Sequence, residues 1–275
     1  MSDKTWMHAQ DEEMACWLGV KHKLSSDQYL SIKCAYWEKM LGKIGLTGEH
    51  LQSGDILEIG NGPSGLFMLA PDNPQYVCVD PLNDFYQEKF PWVFNAQQVS
   101  STKLEDFRHT TTFRDIFAIN CIDHCDDIEA FVASLYELLA DDGTVYLAVN
   151  THNYRFIEFI WRNFQSVIEP HHPYQLSASG YARLFEPSFD IMDVLDIEDL
   201  IIWVNNETSS EKLGVAGSQP DARNWLSKID DEIVGKVLVK TLAALGWPQH
   251  DFTQRGRSLF RHKLFLMKKR SPVVG

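Results

Sequence analysis

The 275-residue sequence has few positive charges and no long apolar run. Its 25 lysines and arginines face 38 aspartates and glutamates, so the formal net charge is −13 at pH 7. This acidity argues against a nucleic-acid backbone or an anionic membrane as the main partner. No apolar stretch approaches the roughly 18 residues of a membrane span, and the polar start of the chain lacks the features of a signal peptide. We therefore expect a soluble cytoplasmic protein that binds neither nucleic acid nor membrane.

Cysteine is scarce, and its spacing suggests no pairing. No two of the five cysteines have Cys-x-x-Cys spacing: Cys16, Cys34, Cys78, Cys121 and Cys125. An odd count without that spacing favours free thiols in a reducing compartment over a disulfide framework or a zinc site. Hydrophobic residues make up 44% of the chain and charged residues 23%, which is an ordinary globular composition.

Short apolar segments alternate with helical patterns through the middle of the chain. Helices are predicted from residue 66 and over 127–140, and strands over 56–59, 76–79, 115–120 and 144–149. Strands that alternate with helices predict a doubly wound α/β sheet, mostly parallel and covered on both faces. Two later strands, over 189–194 and 262–267, are expected to finish the sheet in antiparallel fashion.

Composition divides the chain into four segments. Residues 1–50 contain helical patterns at 10–20 and 27–41, with Ser26 or Asp27 as the cap of the second, and predict a helical N-terminal cap. The core follows over 51–204. Residues 205–254 begin with a polar loop at 205–212, contain a helical pattern at 224–245, and predict a helical insertion that serves as a lid or a homodimer contact. Residues 255–275 supply the last strand and a tail.

The glycines between the first strand and the first helix have the spacing that is typical of nucleotide-binding loops. Gly60, Gly62 and Gly65 form G-x-G-x-x-G inside D-I-L-E-I-G-N-G-P-S-G (55–65). Such glycines allow a tight turn, a close ligand and close packing of helix on strand. Asp80 ends the second strand, twenty residues after Gly60, where a carboxylate can accept both hydroxyls of a ribose. We therefore predict a nucleotide site at the carboxyl edge of the sheet.

Four segments together resemble one family. E-I-G-N-G-P-S-G (58–65) and V-C-V-D-P-L (77–82) resemble the first two motifs of the Rossmann-like (class I) S-adenosylmethionine-dependent methyltransferases. Residues 115–127 resemble the family's fourth-strand motif, and 138–149 resemble its helix, glycine turn and fifth strand. The resemblance implies a Rossmann-like methyltransferase sheet with S-adenosylmethionine (SAM) as cofactor and S-adenosylhomocysteine (SAH) as product.

The resemblance also implies cofactor-binding residues, position by position. The amino-acid end of SAM would be surrounded by Glu58, Gly60, Asn61 and Gly62, with Gly65 completing the loop. Asp80 would hold the ribose, and Pro81 and Leu82 would pack beside the adenine. Ser100 and Ser101 stand where the family contacts the adenine amino group, although the family usually has an acid there. Asn120 and Cys121 would lie under the sulfonium, and Tyr29 or Tyr36 of the cap would reach the cofactor carboxylate.

Histidines near the same edge are candidate general bases. A hydroxyl or amine acceptor must lose a proton, and histidine titrates close to neutral pH. His124 follows the fourth strand, and His171 and His172 lie in E-P-H-H-P-Y-Q-L-S (169–177). Asp123 and Asp126 are interpreted as caps of the next helix, and no metal is predicted. These observations predict methyl transfer to O or N of a small-molecule acceptor.

The sequence leaves three alternatives to a methyltransferase open. A nicotinamide dehydrogenase would also use the glycine spacing, but Glu58 stands where dinucleotide folds need a small or apolar residue to admit a pyrophosphate. An enzyme of the same fold could instead catalyse a lyase or cyclisation reaction. A catalytically silent binding or scaffold subunit is the third alternative, because a fold by itself does not define a reaction.

Overall fold

The computed structural model describes residues 3–152, 174–209, 212–213 and 260–271. His171 and His172 lie outside the described residues, as do the predicted helix at 224–245 and most of the 205–254 segment. The prediction of an insertion that acts as a lid or dimer contact therefore stays a prediction.

The described strands form one seven-stranded sheet in the order β3-β2-β1-β4-β5-β7-β6. The strands are β1 (Ile56–Ile59), β2 (Tyr76–Val79), β3 (Gln98–Ser100), β4 (Phe113–Ile119), β5 (Leu139–His152), β6 (Phe189–Asp196) and β7 (Phe260–Lys269). β1 to β5 pair in parallel, whereas β7 lies antiparallel between β5 and β6. The predicted doubly wound sheet with an antiparallel last strand is confirmed.

The largely apolar strands β1 and β2 both lie inside the sheet, with a neighbouring strand on each side. Every residue of both strands is buried, as expected for parallel strands that are covered on both faces. β5 departs from this regularity, because its register against β4 jumps between Phe113↔Leu139 and Asp115↔Thr144. The glycine turn that the resemblance implied within 138–149 therefore lies inside β5, at this break in register.

Eight described α-helices surround the sheet. They are α1 (Asp3–Gly19), α2 (Lys21–Leu24), α3 (Asp27–Lys43), α4 (Gly48–Ser53), α5 (Asn83–Lys89), α6 (Ile128–Leu138), α7 (Ala178–Phe185) and α8 (Glu198–Glu207). Short 3-10 turns occupy Leu66–Leu69, Leu104–Asp106 and Ile122–His124. Within the described residues, none of the helices has both the length and the apolar character needed to cross a bilayer.

Two boundaries differ from the sequence prediction. The helix expected from Leu66 is only a 3-10 turn, because Pro71 and Pro74 follow closely and prolines do not continue a helix. The loop expected from residue 205 begins later, because α8 continues to Glu207. Leu200 and Val204, one turn apart, are both buried and hold this end of α8 on the core.

Side-chain caps fix the starts of α3 and α6. Ser26 caps α3 by accepting a hydrogen bond from the Tyr29 amide at 3.4 Å, as the sequence indicated. Asp127 caps α6, and its Oδ1 accepts from the amides of Glu129 and Ala130 at 3.0 Å each. The assignment of this cap to Asp123 and Asp126 was wrong, because α6 begins at Ile128 and the preceding residue is the one that can cap it. Asp126 instead forms an ion pair with Lys103 at 2.9 Å.

The two faces of the sheet carry separate hydrophobic cores. On one face, Trp37 and Met40 of α3 belong to the same cluster as Phe117 and Tyr146 of the sheet. On the other face, α6 and α7 pack against the opposite side chains of the same strands. Helix α3 is thereby fixed on the first face of the sheet, and Trp17 of α1 packs against the same cluster.

Candidate cofactor site

A cavity of about 300 Å³ lies at the carboxyl edge of the sheet. Residues at or just after the ends of β1, β2 and β4 form its floor: Ile59, Gly60, Val79, Asp80, Ile119 and Asn120. Ligands of open α/β sheets bind at this edge, and the volume lies at the lower end of the range of small-molecule sites. Of the predicted cofactor-binding residues, the following line the cavity: Glu58, Gly60, Asn61, Gly62, Asp80, Pro81, Leu82, Asn120 and Cys121.

Glu58 turns its carboxylate onto the glycine loop. It accepts hydrogen bonds from the amides of Leu66 at 2.6 Å and Phe67 at 2.9 Å, and from the Tyr76 hydroxyl at 2.9 Å. Burial raises the pKa of Glu58 to about 7, while the hydrogen bonds from the Leu66 and Phe67 amides oppose the rise. These two amides begin the 3-10 turn, where a bound phosphate would otherwise find its donors. The Glu58 carboxylate therefore occupies the place at which a nucleotide-binding loop would hold a phosphate.

Two glycines of the loop are required by their surroundings. Gly60 has φ +67°, and a Cβ added to it would lie 2.4 Å from the Cβ of Cys121. Gly65 does not line the cavity. A Cβ at Gly65 would lie 2.5 Å from both Glu58 Oε1 and the Asn61 carbonyl oxygen, so this glycine makes room for the buried carboxylate.

Asp80 joins the end of β2 to the glycine loop. Its Oδ1 accepts from the Leu82 amide at 2.8 Å and its Oδ2 from the Gly62 amide at 3.3 Å. Burial raises the pKa of Asp80 to about 6, and the two amide hydrogen bonds oppose that rise. The side chain is thus fixed beside the cavity by backbone groups.

Asn83 fixes the glycine loop by hydrogen bonds, a role that the sequence analysis did not predict. The side chain is fully buried, and its Nδ2 donates to the carbonyls of Cys78 at 3.2 Å and Ser100 at 3.0 Å. Its Oδ1 accepts from Asn61 Nδ2 at 2.9 Å, which fixes the amide of Asn61 above the loop. An asparagine at the first position of a short helix gives no sequence signal for such a contact.

Ser100 and Ser101 do not line the cavity. Ser100 supports the floor through its carbonyl, which accepts from the Asp80 amide at 3.2 Å. The Ser101 hydroxyl donates to Asp84 Oδ1 at 2.5 Å and accepts from the Asp84 amide at 3.0 Å. The four residues that follow take the lining positions instead: Thr102, Lys103, Leu104 and Glu105. The cavity is therefore lined by the turn that follows the two predicted serines.

The segment after β4 forms the next wall of the cavity. Asn120 adopts φ +52°, a left-handed conformation that asparagine tolerates better than most residues. Cys121 packs against Gly60, and burial raises the pKa of its thiol well above the usual range, so it is a neutral packing group. His124 lines the cavity from the turn Ile122–His124. Within the described residues, no three histidine, cysteine or acidic side chains are grouped to hold a metal ion.

Helix α1 covers the cavity with one face. The lining residues of this face recur at helical spacing: Trp6, Ala9, Gln10, Glu13 and Trp17. The Trp17 indole donates to Glu13 Oε1 at 2.7 Å and lies 3.3 Å from where a Cβ of Gly62 would stand. At the other end, Lys103 Nζ lies 4.0 Å from the centre of the Trp6 ring. Trp6 and Trp17 of the cap therefore border the cavity.

Lys33 of α3 is the second contribution that sequence reasoning missed. It lines the cavity, and its Nζ lies 4.7 Å from the centre of the Trp37 ring. Burial lowers the pKa of Lys33 to about 8, and the nearby Glu58 opposes the decrease. Tyr29 and Tyr36, which were expected to reach the cofactor carboxylate, are buried in the core and do not line the cavity. The signal in the sequence was the position of Lys33 one helical turn before Trp37, on the face that packs inwards.

Solved structures show the same fold, although no protein-family model and no curated protein matches the sequence. Coclaurine N-methyltransferase, solved with N-methylheliamine and SAH, is 15% identical with a TM-score of 0.53, over 86% of this chain and 70% of that one. A putative methyltransferase from Bacillus halodurans C-125 is 16% identical with a TM-score of 0.50, over 86% and 98%. The [4+2]-cyclase SpnF is 12% identical with a TM-score of 0.52, over 84% and 81%. The protein therefore has the Rossmann-like class I methyltransferase fold.

Proposed function

We propose that this protein is a SAM-dependent methyltransferase that transfers a methyl group to O or N of a small-molecule acceptor by in-line displacement. The observation that carries the proposal is a hydrogen bond at the carboxyl edge of the sheet, which joins the glycine loop after β1 to the end of β2. Asp80 accepts from the Gly62 amide beside the cavity, while Glu58 fills the anion position of the same loop. This arrangement favours a nucleoside without phosphates. The fold shared with methyltransferases supports the same cofactor.

The lining residues fit the three parts of SAM. Asp80 would accept the ribose hydroxyls, and Pro81, Leu82 and Leu104 would pack beside the adenine. Lys33 would supply the cation for the carboxylate at the amino-acid end, because it is the cationic side chain that α3 brings into the cavity. The cofactor supplies a methyl group that is already activated by the sulfonium.

The residues of the chain would then align the reactants and exclude water. Trp6 and Trp17 of α1 cover the cavity, which limits the access of water to the reacting atoms. His124, at the edge beyond β4, is proposed to accept the proton that a hydroxyl or ammonium acceptor loses. A role for His171 or His172 stays a proposal drawn from the sequence alone.

A second candidate is an enzyme of the same fold with different chemistry. The likeness to the [4+2]-cyclase SpnF favours this candidate, because a cyclase shares the architecture with the methyltransferases. A cyclisation would require no methyl transfer, and it would not produce SAH. A catalytically silent subunit would bind cofactor without turning over any acceptor. Detection of SAH during turnover separates the methyltransferase from both.

The first test is a thermal-shift titration with SAM, SAH and NAD. A ligand at 100 times its dissociation constant adds about 2.7 kcal/mol of stability, which gives a clear shift. Asp80→Ala should weaken SAM binding by roughly 1–3 kcal/mol through lost hydrogen bonds to the ribose. The matched control is Asp72→Ala, which removes an exposed aspartate that does not line the cavity. A shift with NAD alone would contradict the proposal.

The second test measures turnover as SAH released from SAM in the presence of candidate hydroxyl and amine acceptors. His124→Ala should leave the dissociation constant of SAM unchanged and lower the rate, because the proton loses its acceptor. An unchanged rate would show that His124 is not the base. Binding of SAM without SAH formation for any acceptor would favour the cyclase or silent-subunit alternatives.

A further inference from the structure

The described part of the cavity lining carries an excess of negative charge. Two lysines line its described part, Lys33 and Lys103, and both have an acid beside them. Lys103 pairs with Asp126 at 2.9 Å, and Lys33 interacts with the carboxylate of Glu58. The lining contains three further carboxylates, Glu13, Asp80 and Glu105. The excess comes from these three, because the two lysines are already matched.

The donors that face these three carboxylates are neutral. Glu13 accepts from the Trp17 indole at 2.7 Å, and Asp80 accepts from two backbone amides. Glu105 Oε1 accepts from the amides of Asp126 at 3.1 Å and Asp127 at 3.3 Å. Within the described residues, none of the three forms an ion pair with a lysine, arginine or histidine. Neutral donors orient a carboxylate without cancelling its charge, so the surplus acts on whatever ligand enters.

We propose that this cavity selects its ligand by charge, binding cationic SAM more tightly than neutral SAH. The inference rests on the proposed function. The two ligands differ by one methyl group and one unit of positive charge, since the ammonium and carboxylate of the amino-acid end cancel in both. The carboxylates of α1, of the β2 end and of the turn after β3 stabilise the additional charge. Methyl transfer removes that charge and thereby weakens the binding of the product.

The charge balance of the transfer gives the direction of the expected effect. The acceptor lone pair forms the new C–O or C–N bond, the C–S bond breaks, and its electron pair remains on sulfur as a neutral thioether. The acceptor's proton leaves to a base such as His124. Once that proton has passed from His124 to solvent, the cavity has lost its compensating cation and holds a neutral ligand.

The ionisation of Asp80 and Glu58 makes the preference depend on pH. Burial raises the pKa of Asp80 to about 6 and that of Glu58 to about 7, so part of the negative charge appears only as the pH passes through these values. Asp80 is faced by Glu13 of α1, Cys78 of β2, Tyr86 of α5 and Cys121 after β4. Glu58 is faced by Lys33 of α3 and by Tyr76 and Cys78 of β2. An entering cation favours the ionised forms, so SAM binding should release protons near neutral pH.

The test is isothermal titration of the full chain with SAM, SAH and sinefungin at pH 8 and pH 5.5. Sinefungin carries a protonated amine in place of the methylsulfonium, so it retains the charge with different chemistry. At pH 8 we expect SAM and sinefungin to bind about tenfold more tightly than SAH, which corresponds to about 1.4 kcal/mol. At pH 5.5 the ratio should be smaller, because most of the Asp80 carboxyl is then protonated. Equal affinities for SAM and SAH at pH 8 would overturn the inference and leave the proposed function standing, whereas binding of neither would overturn both.

A substitution that removes one charge but keeps the side-chain shape tests whether the cavity lining causes the preference for SAM. Glu13→Gln removes one charge and retains an oxygen that can accept from the Trp17 indole. We expect it to lower the SAM-to-SAH affinity ratio by about threefold. Asp11→Asn makes the same charge change at an exposed position of α1 outside the cavity, and it should leave the ratio unchanged. Equal effects of the two variants would show that general charge, and not the cavity lining, sets the preference.

Discussion

The floor and the cover of the cavity are held by different kinds of interaction. On the floor, Glu58 and Asp80 are fixed by backbone amides, and Asn83 is enclosed completely. The cover, α1, touches the cavity through its inner face, while Met7 and Leu18 on its other sides are 61% and 46% exposed. Since buried networks are strong and exposed helices open easily, a change in the floor should affect folding and binding together. A change in the cover should affect binding alone.

Gly60→Ala should give the largest effect, because it introduces a methyl group into the most crowded point of the floor. The new Cβ would lie 2.4 Å from the Cβ of Cys121, on a residue with φ +67°. We expect a loss of roughly 2–4 kcal/mol in the free energy of unfolding, measured with urea, and loss of SAM binding. Gly42→Ala in α3 is the control, because no atom lies within 4 Å of its added Cβ. Equal stability of the two variants would contradict a rigid floor.

Asp80→Asn tests the floor through its pH dependence. Because burial raises the pKa of Asp80 to about 6, from an ordinary value of 3.8, its contribution to stability is fully present below pH 3.8 and is lost as the pH rises through 6. The neutral variant should avoid that loss of about 2–3 kcal/mol. Urea unfolding of the ligand-free proteins at pH 4, 5.5 and 7.5 should therefore show the variant gaining on the parent as the pH rises. A difference that does not change with pH would place Asp80 in contact with solvent.

Lys33→Met tests the junction between floor and cover. Removing the cation should weaken SAM binding by about 1–2 kcal/mol, because a charge-assisted hydrogen bond to the cofactor carboxylate is lost. Binding of 5′-methylthioadenosine, which lacks the amino-acid end, should not change. Lys39→Met is the matched control on α3, where the lysine is exposed and lies 5.0 Å from the centre of the Trp203 ring. Equal losses for both ligands in Lys33→Met would assign the residue to packing.

The floor was predictable from the sequence because its determinants are close together along the chain. The glycine spacing, the Glu58 position and Asp80 at the end of the next strand follow from local pattern. The structure brings Glu58, Asp80 and the first two glycines of the spacing to one cavity. Parallel strands are buried on both faces, so β1 and β2 have apolar runs that are visible in the sequence.

The cover was not predictable in the same way. Lys33 and Glu13 have the residue types of any solvated helix face, and only the packing of α1 and α3 against the sheet brings them to the cavity. The contact between Asn83 and Asn61 joins residues on either side of β2 and has no periodic signature. The aromatic residues of the cap were visible in the sequence, but their direction was decided by tertiary structure.

Trp6→Leu should have the smallest effect and bears directly on the cover. The interaction between Lys103 and the Trp6 ring, at 4.0 Å, is partly exposed, and such contacts contribute about 0.5–1 kcal/mol. We expect the urea midpoint to stay unchanged while SAM binds several-fold more weakly and dissociates faster, with α1 losing protection from hydrogen exchange. Met7→Leu, at an exposed position one residue along the same helix, should change neither. A fall in global stability for Trp6→Leu would show that α1 unfolds together with the floor, and that the cover is not a separate unit.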